Sequence, residues 1–294
     1  MPLIVPPHLP AIDTLGREGI TLHTTAPCGV KPLRILLLNL MPFKAETETD
    51  FLRALHTTDE WVELVPLKFA GQTYKNTPQS HMDAFYRTFD DALRAEEWDG
   101  VIATGAPLEQ PTFEVARYWE AFVSFMEWAD VHVRSSLYIC WAAQAACYHF
   151  YGMPRYVFTP KLSGVFAQEV LQPQHPLLHN IGQPFYVPHS RFSKVAAADL
   201  PTTANVQVIA TSAATDFSIL VSTDCRRVFV TGHLEYPSYT LDNEYKRDLG
   251  KGEVVNPPHD YYVNNDPTQG IRTHWIDAAQ QFFANWVALT KPTS

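Results

Sequence analysis

The sequence predicts an α/β fold built on a largely parallel sheet. Two observations lead to it. Short apolar runs of buried-strand length recur at residues 34–39 (RILLLN), 100–104 (GVIAT) and 136–139 (SLYI). Helical stretches alternate with them, the alternation expected of strands joined by crossover helices. A third concerns size: the 294 residues are 46% hydrophobic, with no internal repeat or low-complexity linker. That composition suits one large domain over residues 1–294.

Taken in order, residues 1–32 carry Pro2, Pro6 and Pro7 and many turn formers, and read as an arm lying on the body. After the strand at 34–39, residues 46–55 read as a helix with Phe51, Leu52 and Leu55 on one face. Residues 61–67 are strand-like. The strand at 100–104 ends in Gly105-Ala106-Pro107, a loop signal. Residues 113–130 form a long amphipathic helix whose stripe of Phe113, Tyr118, Trp119, Phe122, Phe125 and Met126 is core packing. The strand at 136–139 runs into an alanine-rich helix at 141–151, stopped by Gly152 and Pro154. Further strands are expected at 206–210, 217–221 and 228–231, and helices at 239–249 and 273–289.

Composition removes several functions. A net charge of −9 without a Lys/Arg cluster argues against nucleic-acid binding, which depends on neutralising phosphates. Cys28, Cys140, Cys147 and Cys225 form no Cys-x-x-Cys pair, so neither a disulfide framework nor a zinc ribbon is expected. The histidines lack ligand spacing, and no metal site is expected. No apolar run approaches 18 residues. The proline-rich start lacks a basic region followed by an apolar core, so it does not read as a signal peptide. A soluble, cytoplasmic, reducing setting is the expectation, and there a thiol stays free.

In open α/β sheets reactive groups collect at strand carboxyl ends. Here that points to residues 39–44, 104–109 and 231–235, and to Cys140. Cys140 stands where a strand meets a helix, the nucleophile-elbow position. A helix N-terminus there favours the thiolate, and its free N–H groups can hold an oxyanion. A cysteine in such a protein is more often core packing, and Cys147, two turns on, fits that reading. Cys140 differs because a second feature accompanies it. After the strand at 228–231, Gly232 leads to His233, with Glu235 two residues on. A thiol, an imidazole and a carboxylate make the nucleophile, base and orienting set of acyl transfer.

The segment LYICWAAQAA around Cys140 resembles the nucleophile segment of the MetA-type homoserine O-acyltransferases. LNLMPFKAETETDFLRAL, TGAPLE, PKLSGVF, VPHSRF, TGHLEYPSYTLDNEYKRDLGKG and NNDP resemble further motifs of that family, in order along essentially the whole chain. Leu234 stands where many relatives have Pro. The resemblance implies a class I glutamine amidotransferase-like sheet with helices on both faces. It implies Cys140 as acyl-thioester nucleophile, His233 as proton acceptor and Glu235 as its partner. Lys161, Ser190 and Arg247 match substrate-contacting positions. Glu109 matches the position that governs the acyl-CoA, and a carboxylate there implies acetyl rather than succinyl transfer. The implied substrates are acetyl-CoA, as co-substrate with no resident cofactor, and L-homoserine. L-Serine stays open as acceptor, and a homodimer is the assembly the family suggests. The N–H of Trp141 and one from residues 43–44 are the expected oxyanion donors.

A glutamine-hydrolysing amidotransferase is the rival from another class, since its His-Pro-Glu resembles His233-Leu234-Glu235. The glycine-flanked Gly-x-Cys-x-Gly elbow usual there is missing from Tyr138-Ile139-Cys140-Trp141-Ala142.

Overall fold

The structure is a computed structural model and describes residues 2–95, 97–108 and 112–292. Its strands are β1 (Leu3–Ile4), β2 (Leu22–His23), β3 (Leu33–Leu38), β4 (Val62–Lys68), β5 (Arg87–Thr88), β6 (Gly100–Ala103), β7 (Ser135–Ile139), β8 (Tyr156–Val170), β9 (Phe185–Lys194), β10 (Val206–Ser212), β11 (Asp216–Ser222) and β12 (Arg227–Val230). Its helices are α1 (Ala11–Arg17), α2 (Lys44–Leu55), α3 (Gln79–Phe85), α4 (Phe89–Ala95), α5 (Trp119–His132), α6 (Trp141–Tyr151), α7 (Thr240–Gly250) and α8 (Ile276–Leu289). The strands join in the order β2-β1-β4-β3-β6-β7-β12-β11-β10-β8-β9, with β5 on β4. Pairing is parallel from β2 to β12 and antiparallel from β12 to β9.

The central strands are mostly apolar because both sheet faces are covered. Alternation sorts their side chains: Ile35 and Leu37 of β3 join one core, Leu36 and Leu38 the other. The first core receives Phe51, Leu52 and Leu55 from α2 with Phe282, Phe283 and Trp286 from α8. The second receives Phe122, Phe125 and Met126 from α5 and the alanines of α6.

Three expectations need correction. Residues 1–32, expected as an arm lying on the body, join the sheet itself. β1 pairs with β4 and β2, and α1 buries Ala11 and Leu15. Two-residue strands are too short to show a period, which hid them. The helix expected at 113–130 starts only at Trp119, preceded by turns, although Phe113 is still buried between Trp119 and Trp141. The long β8–β9 hairpin was not foreseen, because the first half of β8 is largely exposed and lacks a clean alternation. Among the described residues no helix is long and apolar enough to cross a membrane.

Candidate active site

Register builds the site. Leu38 pairs with Ala103, Ala103 with Tyr138, and Ile139 with Val230. The parallel strands β3, β6, β7 and β12 therefore end at one level. Asn39, Thr104, Cys140 and Thr231 emerge there side by side.

Cys140 is the N-cap of α6, held at φ 52° and ψ −109°. For a residue with a Cβ this is a strained conformation, costing roughly 1–3 kcal/mol, and such strain concentrates at active sites. It is fixed from both sides: the Cys140 N–H donates to Val230 O (2.7 Å), and its carbonyl accepts from Gln144 N–H (3.1 Å). The N–H groups of the first helical turn, starting at Trp141, have no intrahelical acceptor.

His233 follows Gly232. A Cβ on Gly232 would stand 2.4 Å from Val187 Cγ1 and 2.5 Å from Pro188 O, so only glycine lets β9 approach this closely. The reward is a bond from His233 N–H to Pro188 O (2.8 Å) that seats the histidine. Its Nδ1 lies 2.6 Å from Glu235 Oε1, and its ring stacks on Tyr236 with centroids 4.1 Å apart. Gly105 closes the third side. A Cβ there would sit 3.2 Å from both Cys140 Cβ and His233 Cε1. Burial opposes a charge on His233, but the Cys140 sulfur and the Glu235 carboxylate, as charges and as hydrogen-bond partners, outweigh it. They raise the imidazole well above its ordinary range.

All three groups line a cleft of about 620 Å³. Lys161, Ser190 and Arg247 line it too. Lys161 Nζ is 2.9 Å from Glu244 Oε2 and 3.6 Å from Asp248 Oδ2, while Arg247 Nη2 is 2.7 Å from Asp248 Oδ1. The Ser190 hydroxyl donates to Glu244, and the Tyr236 hydroxyl donates to Glu244 Oε1 (3.1 Å). Glu244, unread from the sequence, is thus the hub of this wall. Burial would raise its carboxyl, but the Lys161 charge and the Ser190 and Lys161 hydrogen bonds prevail and hold it below the usual range. Its place three residues before Arg247 on one helix face was the available signal.

The expected oxyanion donor at residues 43–44 is not supported for Lys44, whose N–H points to Thr77 Oγ1 (3.3 Å). The Gly105–Ala106 turn lies against Cys140 instead. Glu109 falls outside the described residues.

A family model described as homoserine O-succinyltransferase matches residues 2–293. The chain belongs to this family. It is 44% identical to a homoserine O-acetyltransferase of Bacteroides thetaiotaomicron, over 98% of this chain and 95% of that protein. It is 42% identical to a homoserine O-succinyltransferase of Pseudoalteromonas atlantica, over 98% and 94% respectively. A solved glutamine amidotransferase of Thermotoga maritima covers 89% of this chain and all of its own, with a TM-score of 0.55 at 14% identity. That likeness places the family's sheet in the class I glutamine amidotransferase fold.

Proposed function

We propose that the chain is a homoserine O-acetyltransferase that moves acetyl from acetyl-CoA to the L-homoserine hydroxyl, a step of methionine biosynthesis. The observation that carries it is the alignment of Cys140, His233 and Glu235 at one cleft, facing a wall charged to suit an amino acid. Most of the similar relatives bear that activity in their names.

The Cys140 sulfur attacks the thioester carbonyl. The oxyanion that forms meets the Trp141 N–H and the backbone of the Gly105–Ala106 turn. As the intermediate collapses, the C–S bond to CoA breaks and His233 gives its proton to the departing thiol. Acetyl-Cys140 remains. Homoserine then enters with its carboxylate toward Arg247 and its ammonium toward Glu244. His233 takes the hydroxyl proton, the oxygen attacks the acetyl carbonyl, and the Cys140 sulfur leaves as the ester forms. Glu235 keeps the imidazole in the tautomer that presents Nε2 to these transfers.

Glu109 is the residue we assign to acyl choice. A carboxylate beside the acyl tail disfavours the second carboxylate of succinyl-CoA, on the order of 4 kcal/mol for charges about 4 Å apart at an effective dielectric of 20. The test combines purified protein with acetyl-CoA or succinyl-CoA and with L-homoserine or L-serine, following free CoA. Acetyl-CoA with L-homoserine should turn over fastest. No CoA release with any pair would sink the reading. Glu109→Gly should shift preference toward succinyl-CoA, and an unchanged ratio would remove Glu109 from acyl selection.

A further inference from the structure

A second cavity lies beside the catalytic cleft. It holds about 260 Å³ and shares the Met41–Pro42 segment with the cleft. Lys44, Lys68 and Lys75 line it, and among the described residues no carboxylate does. The chain as a whole has a net charge of −9, and in the catalytic cleft the described carboxylates outnumber the cations. The second cavity therefore has the opposite sign from its surroundings.

Lys44 is only 3% exposed. A buried ammonium normally faces a carboxylate, because an uncompensated buried charge is costly. Among the described residues Lys44 has no such partner. Its Nζ donates to Asn39 O (2.6 Å) and stands 5.0 Å from the centre of the Tyr74 ring. Glu48 is engaged elsewhere: the Tyr86 hydroxyl donates to it, and His81 Nε2 lies 2.9 Å from its Oε1. Burial lowers the Lys44 ammonium to about 8 against the smaller pull of the Glu48 charge, so it still carries its charge at neutral pH. An ammonium has three N–H donors, and Asn39 takes one. Lys75 is exposed on the loop between β4 and α3 and forms no ion pair among the described residues. Lys68 is partly committed, to Met82 O (3.0 Å) and Asp83 Oδ1 (3.2 Å).

We propose that this cavity binds the phosphate-bearing end of the acyl-CoA donor, with Lys44 at its floor and Lys75 at its rim. The inference rests on acyl-CoA being the donor. That molecule keeps its thioester at one end of a long pantetheine arm and its phosphates at the other. With the thioester at Cys140, the phosphates must bind elsewhere. The cavity is too small for the whole donor and suits its charged end. The cations of the catalytic cleft are already occupied. Lys161 meets Glu244 (2.9 Å), Arg247 meets Asp248 (2.7 Å), and Lys251 lies 3.9 Å from both Asp248 and Glu253. Arg191 donates to the carbonyls of Ser193 and Thr215, and Arg155 to that of Leu108.

The test is calorimetric titration of CoA into the full-length protein, at low and high NaCl. Wild type is compared with Lys75→Glu, Lys75→Arg and, as a probe of the catalytic cleft, Lys251→Glu. Both lysines are exposed, so these variants should fold. Lys75→Glu should weaken CoA about tenfold, the scale of one charge-assisted hydrogen bond to phosphate. Its CoA affinity should also depend less on NaCl than that of wild type. Lys75→Arg should stay within about twofold of wild type, because the charge is kept. An unchanged CoA affinity in Lys75→Glu, or a larger loss in Lys251→Glu, would overturn the proposal. Inorganic phosphate is titrated in parallel. A loss of its affinity in Lys75→Glu while that for CoA stays unchanged would mark a free-anion site and overturn the assignment to the donor. Wild type that binds no CoA would remove the donor reading together with this site, whereas wild type that binds CoA no better than Lys75→Glu would remove this site alone.

Discussion

Acetylating Cys140 changes what His233 can do. In the resting protein the sulfur's charge is one of the two that raise the imidazole. A thioester carries no charge, so only Glu235 remains to hold the proton, while burial still opposes it. The proton affinity of His233 should fall when Cys140 is acetylated, turning an acid for the first half-reaction into a base for the second. An NMR titration of the His233 ring should show a lower midpoint in the acetyl-enzyme than in the free protein. An equal or higher midpoint would contradict the proposed division of labour. Glu244 allows a second prediction. Removing its charge with Glu244→Gln should raise the KM for homoserine about 10- to 100-fold, as a charged hydrogen bond of about 1.5–3 kcal/mol implies. Release of CoA in the first half-reaction should change little. The held-down carboxyl also stabilises the fold above its unfolded range, a contribution lost as pH falls through the folded value. Glu244→Gln should therefore flatten the acid side of a stability–pH curve measured by urea unfolding.

Loops of one or two residues decide how closely the site's strands and helices approach. Gly232 has a neighbour at 2.4 Å from where a Cβ would be, and that neighbour belongs to β9. Gly232→Ala should force β9 away, costing about 1–3 kcal/mol in urea unfolding as overpacking does, and should loosen the bond from His233 N–H to Pro188 O. Unchanged stability would show that β9 yields freely. Helix α6 was legible to the residue, because an alanine-rich run ends at Gly152, which adopts φ 69°. Cys140 and His233 were legible for a related reason, since a short apolar strand followed by a helix or a glycine marks a strand end. Glu244 was not. Glu244 sits on an expected helix, but its meaning depends on Lys161 and Ser190, which lie 83 and 54 residues away in sequence.

Across the whole molecule, one hydrogen-bonded sheet carries both apolar cores, so neither face can lose its helices without exposing the strands they share. Calorimetry should give a single cooperative transition in which the first 32 residues take part, since β1 is paired on both edges. Two separable transitions would mean that the antiparallel half from β11 to β9 is a unit of its own. A core truncation should lower that one transition from either face. Phe282→Ala on one side and Phe122→Ala on the other should each cost about 3–5 kcal/mol. The parallel half was legible from its apolar strands because both faces are covered. The antiparallel hairpin was not, because the first half of β8 is largely exposed and lacks a clean alternation.

The central claim is that an acyl group rests on Cys140 between donor and acceptor. Intact-mass spectrometry of the protein mixed with acetyl-CoA alone should show one added acetyl group, mapped to the Cys140 peptide and absent in Cys140→Ser. Adding L-homoserine should remove it and release the O-acetyl ester. An unmodified Cys140 during productive turnover, or full activity in Cys140→Ala, would contradict the account.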